Sequence, residues 1–576
     1  MNSIPRPEHP KPQFRRDAWM NLNGEWAFEI DNGRSGKARG LQAADAKLSG
    51  RITVPFCPQS ELSGVGHKDF MQGVWYSRTF TLTQAQAAGR VVLHFGAVDY
   101  ACEAFVNGRS VGTHKGGYVS FRFDVTDAVQ AGENVLTVYA EDDERNPLIP
   151  RGKQSELFFS HGCDYTRTTG IWQTVWLEFM PKTHIENVKF YPNVDEGSLW
   201  IDARLCGAGT LRVQASYEGR PVGEASVESA GGRAQLTLPL SEVHLWEVGC
   251  GRLYDLTLTY GEDAVYSYAG LRSVRLDGYR FLINGKSVFQ RTVLDQGFYP
   301  DGIYTAPSDA ALVRDIELSM ACGFNGARLH EKIFEERFLY HCDRLGYLVW
   351  GEFPNWGLDH SRPEAVFSVL PEWLEEVERD FNHPALIGWC PFNETWDRDG
   401  RTQCNDVLRA VYLATKAADP TRPCIDTSGN YHVQTDIYDV HDYEQDVKTF
   451  RDHYDELAKG GELWDQVNHH RNSSTRQHYD GKLPVFISEY GGIGWALGDE
   501  RAWGYGNMPE SGEAFIARFR GLADAILDNP RIMGLCYTQL TNVEQEQNGL
   551  YTYDRQPKFD PAIFKAILSR KAAIED

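Results

Sequence analysis

The chain has 576 residues, 42% of them hydrophobic, with 58 Lys and Arg against 80 Asp and Glu for a net charge of −22. That apolar share excludes a disordered chain, and the negative field excludes nucleic acid or an anionic membrane as the main partner. No apolar run reaches the roughly 18 residues that cross a bilayer.

The first residues, Met1 to Trp19, lack the apolar centre and small-residue cleavage site of a signal peptide. Eleven cysteines, an odd number without CxxC or zinc spacing, read as buried free thiols of a reducing compartment. A cytoplasmic location is expected from both.

Residues 1–180 alternate short apolar–polar stretches with turn signals such as Asn23-Gly24, Asn107-Gly108 and Gly116-Gly117. Stretches Trp75–Leu82, Val91–Phe95 and Val135–Tyr139 have the period of two that marks half-buried strands. Residues 181–274 continue in that style at Leu211–Ala215, Ala234–Leu238 and Leu256–Tyr260, which predicts a second, immunoglobulin-like sandwich.

From residue 275 to 576 the rhythm becomes strand, helix, strand, helix. Predicted strands are Val288–Leu294, Gly323–His330, Tyr347–Phe353, Leu386–Phe392, Arg422–Ile425, Ile437–Val440, Val485–Ser488 and Ile532–Tyr537. Predicted helices include Arg314–Gly323, Phe334–Leu345, Leu374–Asp380, Val407–Ala418 and one capped by Ser511 and stopped at Asn529-Pro530. Eight parallel strands with helical crossovers predict a closed (β/α)₈ barrel. No Gly-rich phosphate loop is present, so no nucleotide cofactor is expected.

A barrel of this kind carries its chemistry just beyond the C-terminal ends of its strands. That rule selects Asp295, Arg328 and His330, Glu352 and Trp356, Asn393, Glu394 and Trp396, His441 and Tyr443, Glu489, and Tyr537. Glu394 and Glu489 each end a buried run, on the fourth and seventh strands, whose side chains can meet across the mouth. Two carboxylates about 5–5.5 Å apart are what retaining glycoside hydrolysis requires. A metal set of His330, Glu352 and His441 lacks HxH or HExxH spacing, so no metal or other cofactor is expected.

Several motifs, in order, resemble glycoside hydrolase family 2. They are Asn21–Trp26, Gly170–Glu178, Phe281–Val288, Gly323–Arg328, Cys342–Gly346, Phe392-Asn393-Glu394 and Ser488-Glu489-Tyr490. The resemblance implies a multidomain chain: a jelly-roll sandwich, an immunoglobulin-like sandwich and a catalytic TIM barrel. It implies a retaining exo-glycosidase in which Glu394 is the acid/base and Glu489 the nucleophile. Tyr443 and Arg328 would support Glu489, Asn393 would contact the sugar 2-hydroxyl, and Asp164 would reach in from the first sandwich.

The chain departs from the family's β-glucuronidases, whose Asn-x-Lys is replaced by Glu546-Gln547-Asn548, and lacks the Glu-x-His magnesium motif of the large β-galactosidases. A neutral sugar is therefore expected, a β-D-galactoside first, with a β-galactofuranoside or arabinoside as the alternative. An inert barrel in a carbohydrate-binding protein is the rival outside enzymology. His330 and Asp295 are expected to bind hydroxyls, and Trp396, Trp495 and Tyr537 to stack on the sugar. The expected partner is a small oligosaccharide or glycoside, and a homo-oligomer is expected.

Overall fold

The computed structural model describes residues 4–395, 402–429, 431–465, 476–496 and 502–575. A four-stranded and a six-stranded antiparallel sheet face each other in the N-terminal part. Their inward positions, among them Trp26, Tyr76, Leu93, Leu136 and Leu177, form one apolar core. A second sandwich follows, with sheets of three and four strands around Ile201, Val213 and Leu258.

The C-terminal part is a TIM barrel. Its sheet carries the strands Leu386–Cys390, Leu348–Glu352, Gly326–Leu329, Gln290–Asp295, Ile532–Thr538, Val485–Gly491 and Tyr438–Asp442 in spatial order. All neighbours in it are parallel. Every residue of Leu348–Glu352, Leu386–Cys390 and Val485–Gly491 is buried. Strands buried on both faces must be nearly continuously apolar, which is why these runs showed no alternation. The predicted fifth strand is not a continuous one. Residues 424–428 join the fourth strand through isolated bridges at Trp389–Cys424 and Asn393–Ser428.

Three helices run longer than their apolar stripes suggested, Asp309–Ala321, Val366–Asp380 and Asn405–Ala418, while Glu336–Leu345 starts two residues later than expected and Gly512–Leu527 lies between its expected limits. Ser308 and Ser511 cap two of them by accepting the amides of Ala311 and Ala514. All eleven cysteines are free thiols, seven of them buried. No described helix is long and apolar enough to cross a membrane.

One junction between domains positions the site. The segment Arg151–Gln154 of the first sandwich lies on the loop after the third barrel strand. Arg151 N–H donates to the Trp356 carbonyl at 2.8 Å and Gly152 N–H to the Pro354 carbonyl at 3.1 Å. Gly152 sits at φ +56°, and a Cβ there would stand 2.5 Å from the Glu331 carbonyl oxygen. Only glycine satisfies both the backbone angle and the close approach.

Candidate active site

Glu489 lies on the seventh barrel strand, 4% exposed. Its Oε1 accepts from Arg328 Nη1 at 3.1 Å and its Oε2 from the Tyr443 hydroxyl. Burial alone would push its carboxyl up. The charges of His441, His330 and Arg328, with the Tyr443 bond, outweigh burial and hold it at about 2. Glu489 is thus ionised across the neutral range.

Arg328 is a buried hub at the end of the second strand. It donates to Glu352 Oε2 at 2.6 and 3.1 Å, to the Ser488 carbonyl at 2.8 Å and to Asn393 Oδ1 at 3.1 Å. The planar guanidinium matches such a fan of acceptors, as a lysine would not. Glu352 is fully buried, yet Arg328 and His330 hold its carboxyl at about 2. His330 places Nδ1 2.8 Å from Glu352 Oε1 and 3.9 Å from Glu489 Oε1.

Glu394 lies just beyond the fourth strand at φ +47°, with 15% of its side chain exposed. Its amide donates to the Ser428 carbonyl at 2.7 Å, which ties it to the irregular fifth strand. Glu394 Oε1 lies 2.9 Å from His441 Nδ1, and the same nitrogen lies 3.4 Å from Glu489 Oε2. One oxygen from each carboxylate and that imidazole nitrogen lie within 4.8 Å of one another. This spacing would by itself suit a cation. Arg328 reaches Glu489 from the other side, and His441 stands between the two carboxylates. A second group, Glu156, His161 and Asp164, has similar spacing, and Arg151 engages both of its carboxylates.

Asn393 accepts from Arg328, and its amide N–H donates to Asn355 Oδ1 at 2.6 Å. Its Nδ2 is buried with no protein partner among the described residues. Tyr443 stacks face to face on Tyr505, centroids 3.4 Å apart. A cavity of about 320 Å³ opens beside Glu394, walled by Arg151, Asp164, Trp356, Asp359 and His360. Lys153 is 5% exposed, with Nζ 3.4 Å from the centroid of the Trp356 ring.

Residues 19–181 match the model of "Glycosyl hydrolases family 2, sugar binding domain", and residues 274–570 that of "Glycosyl hydrolases family 2, TIM barrel domain". The chain belongs to glycoside hydrolase family 2. It is an O-glycosyl hydrolase. A β-glucuronidase of Paenibacillus borealis is 24% identical, with 95% of this chain and 96% of that one aligned. The β-glucuronidase of Felis catus is 28% identical over 71% of this chain and 68% of its own length. Among solved structures, a Lactobacillus rhamnosus β-glucuronidase shares the fold at TM-score 0.80 and 20% identity, covering 99% of this chain and all of its own.

Within this family 2 glycosidase, Arg328, His330, Asn393, Tyr443 and the two carboxylates come together as one cluster, and Asp164 lines the adjoining cavity. Three expectations fail. Asp295 points elsewhere: its Oδ1 accepts the Gly297 amide at 2.9 Å, and the charges around it are Asp315, Arg555 and Lys332. Burial, with Asp315 nearby, raises its carboxyl to about 6. Trp495 packs on Phe515 and Phe559 rather than over the mouth. Tyr537 is fully buried between Tyr490 and Phe519. The Tyr537 ring is enclosed by the core, and Trp495, half-buried, lays its ring against the core's outer side. Trp396 lies outside the described residues, as do 466–475 of the long connection between the sixth and seventh strands.

Lys153 and Tyr505 carry no strand-end signal in the sequence, and His441 carries one without a role attached to it. Lys153 sits in a loop with no periodic signal, and only domain docking carries it to Trp356. His441 lies at the exit of the sixth strand, Tyr438–Asp442, two residues before Tyr443, and that strand-end position is the signal that could have drawn attention to it.

Proposed function

We propose that the chain is a retaining, exo-acting β-glycosidase that releases a terminal neutral sugar by double displacement. The observation that carries this reading is the separation of the Glu394 and Glu489 oxygens, within 4.8 Å. Retaining enzymes hold the pair about 5–5.5 Å apart, whereas inverting enzymes leave about 6.5–9.5 Å for a water.

Glu489, ionised and steadied by Arg328 and Tyr443, attacks the anomeric carbon. Glu394, nearer the opening, gives its proton to the leaving oxygen. The bond to the aglycone breaks and a glycosyl ester forms on Glu489. Glu394 then takes a proton from the water that cleaves this ester. Asn393 Nδ2, lacking a protein partner among the described residues, is available to the sugar 2-hydroxyl, a contact that strengthens toward the transition state. No metal takes part in this scheme.

Charge favours a neutral sugar. Lys153 lies against Trp356 of the cavity wall, and Glu394, Glu546 and Glu331 act on its charge. Glu546 is itself buried, bonded to the Tyr165 hydroxyl and to Asn548 Nδ2. The cavity wall itself carries Glu156, Asp164, Asp359 and Glu394 against Arg151, so a uronate would meet no surplus of positive charge there. β-D-Galactosides are the class to test first. Two observations support a second reading, a β-glucuronide substrate: Lys153 makes no ion pair with a described carboxylate within 4 Å, and relatives such as those of P. borealis and F. catus are named β-glucuronidases. A panel of 4-nitrophenyl glycosides (galactopyranoside, galactofuranoside, arabinoside, glucuronide) decides between them. Preference for a neutral sugar upholds the first reading, and preference for the glucuronide replaces it with the second.

A further inference from the structure

The imidazole of His441 lies between the two carboxylates, and its surroundings specify its protons. Nδ1 is 2.9 Å from Glu394 Oε1 and 3.4 Å from Glu489 Oε2, so on this side it meets only acceptors. Nε2 is 2.9 Å from Ser428 Oγ. The single Ser428 proton is directed to Asp439 Oδ2 at 2.6 Å, so Ser428 offers His441 a lone pair. Asp439 also accepts from the Ser488 hydroxyl, and its Oδ1 faces His432 Nε2 at 3.1 Å. Both nitrogens of His441 therefore face acceptors, and an imidazolium satisfies both.

The ring is also held in place. Gly429 has φ +74°, and a Cβ there would stand 2.1 Å from His441 Nδ1. The fifth strand supplies Ser428 and Gly429, the fourth Glu394, the seventh Glu489 and Ser488, the sixth the Asp439 carboxylate, and the second Arg328, whose positive charge opposes those of the acids on the ring. No other described side chain makes so close a contact with both carboxylates.

We propose that His441 stores the proton that Glu394 delivers, making it a positioning and proton-supplying residue of the glycosidase. In the free enzyme the proton sits on His441 Nδ1 between two ionised carboxylates. As the glycosidic oxygen replaces His441 beside Glu394, the proton passes from Nδ1 to Glu394 Oε1 and on to the leaving oxygen. Glu489 forms the ester as the bond to the aglycone breaks, leaving neutral His441 and ionised Glu394. In the second half, the attacking water gives its proton to Glu394 and thence to Nδ1, and the ester bond breaks to restore ionised Glu489. The protons balance without a further reactant.

This inference rests on Glu394 and Glu489 being the catalytic pair, and its test separates the two. His441→Asn is compared with wild type on activated 2,4-dinitrophenyl and unactivated alkyl β-glycosides of whichever sugar the panel selects. The expected result is a loss of roughly 100-fold or more on the alkyl glycoside, a far smaller loss on the dinitrophenyl one, and a basic limb of kcat/KM moved to lower pH. Gly429→Ala, which displaces the ring but keeps it titratable, should show the same leaving-group dependence. Equal losses on both substrates with an unmoved basic limb would overturn the proposal. A neutron structure of the wild-type enzyme near pD 7 bypasses any failure of a variant to fold. Deuterium on both His441 nitrogens supports the store, and a bare Nδ1 refutes it. Turnover retained in Glu489→Gln would instead remove the catalytic pair, whatever the proton state of His441.

Discussion

Arg328 gives two N–H groups to one oxygen of Glu352 and another to Glu489, so one buried cation serves two buried carboxylates. Replacing it by methionine would strand both acids. Arg328→Met should destabilise the fold by about 3–5 kcal/mol and raise the Glu489 carboxyl, moving the acidic limb of the pH–rate profile upward. Thermal unfolding and a pH profile of kcat/KM check the two effects. An unchanged acidic limb would show that Arg328 does not tune Glu489.

The same pair of acids sets a pH dependence of stability. Glu352 and Glu489 are each held at about 2 in the fold, against an ordinary value of 4.5. A depressed folded value contributes stability that is complete above about 4.5 and is lost as pH falls toward 2. Glu352→Gln should therefore flatten the unfolding curve between those pH values relative to wild type. Chemical denaturation at pH 6, 4 and 3 measures it.

Removal of the acid/base should leave a signature distinct from removal of the nucleophile. Glu489→Gln is expected to lose roughly three orders of magnitude or more on every aryl glycoside. Glu394→Ala should lose far less on activated substrates, and added azide should restore turnover by attacking the glycosyl ester to give a β-glycosyl azide. Proton NMR of the first-formed product from the wild type should show the β anomer. An α product would refute retention.

Lys153 and Gly152 connect the first sandwich to the barrel chemistry. Lys153→Met should lower kcat/KM by about 10–100-fold on the substrate whose oxygen it grips, the loss of one charge-assisted hydrogen bond. A loss confined to uronides would favour the uronide reading, and a loss on neutral sugars the other. Gly152→Ala, forced against the Glu331 carbonyl, should cost about 1–3 kcal/mol of stability and raise KM more than it lowers kcat. Steady-state kinetics with circular dichroism of each variant give the answer.

Dialysis against EDTA should leave kcat/KM within about twofold, because the carboxylates that could ligate a cation are engaged by Arg328 and His441. Loss of activity restored by Mg²⁺ would require a metal in the mechanism.

The linear order of residues determined the architecture and the two acids. Period two gave way to buried runs alternating with helical stripes, and a buried strand ending in Glu is legible because burial on both faces leaves only its exit polar. The fifth strand was less legible, since residues 424–428 pair through isolated bridges rather than a ladder. Tertiary structure alone decided which rings face the mouth. It packed Trp495 and Tyr537 on the core, set Asp295 among the charges of Asp315 and Arg555, and brought Lys153 to Trp356 and His441 to the carboxylates. Those outcomes depend on contacts between residues far apart in the chain. Local periodicity says that a side chain is buried or exposed, but the neighbours that settle its orientation and its proton arrive only when the strands close around one another.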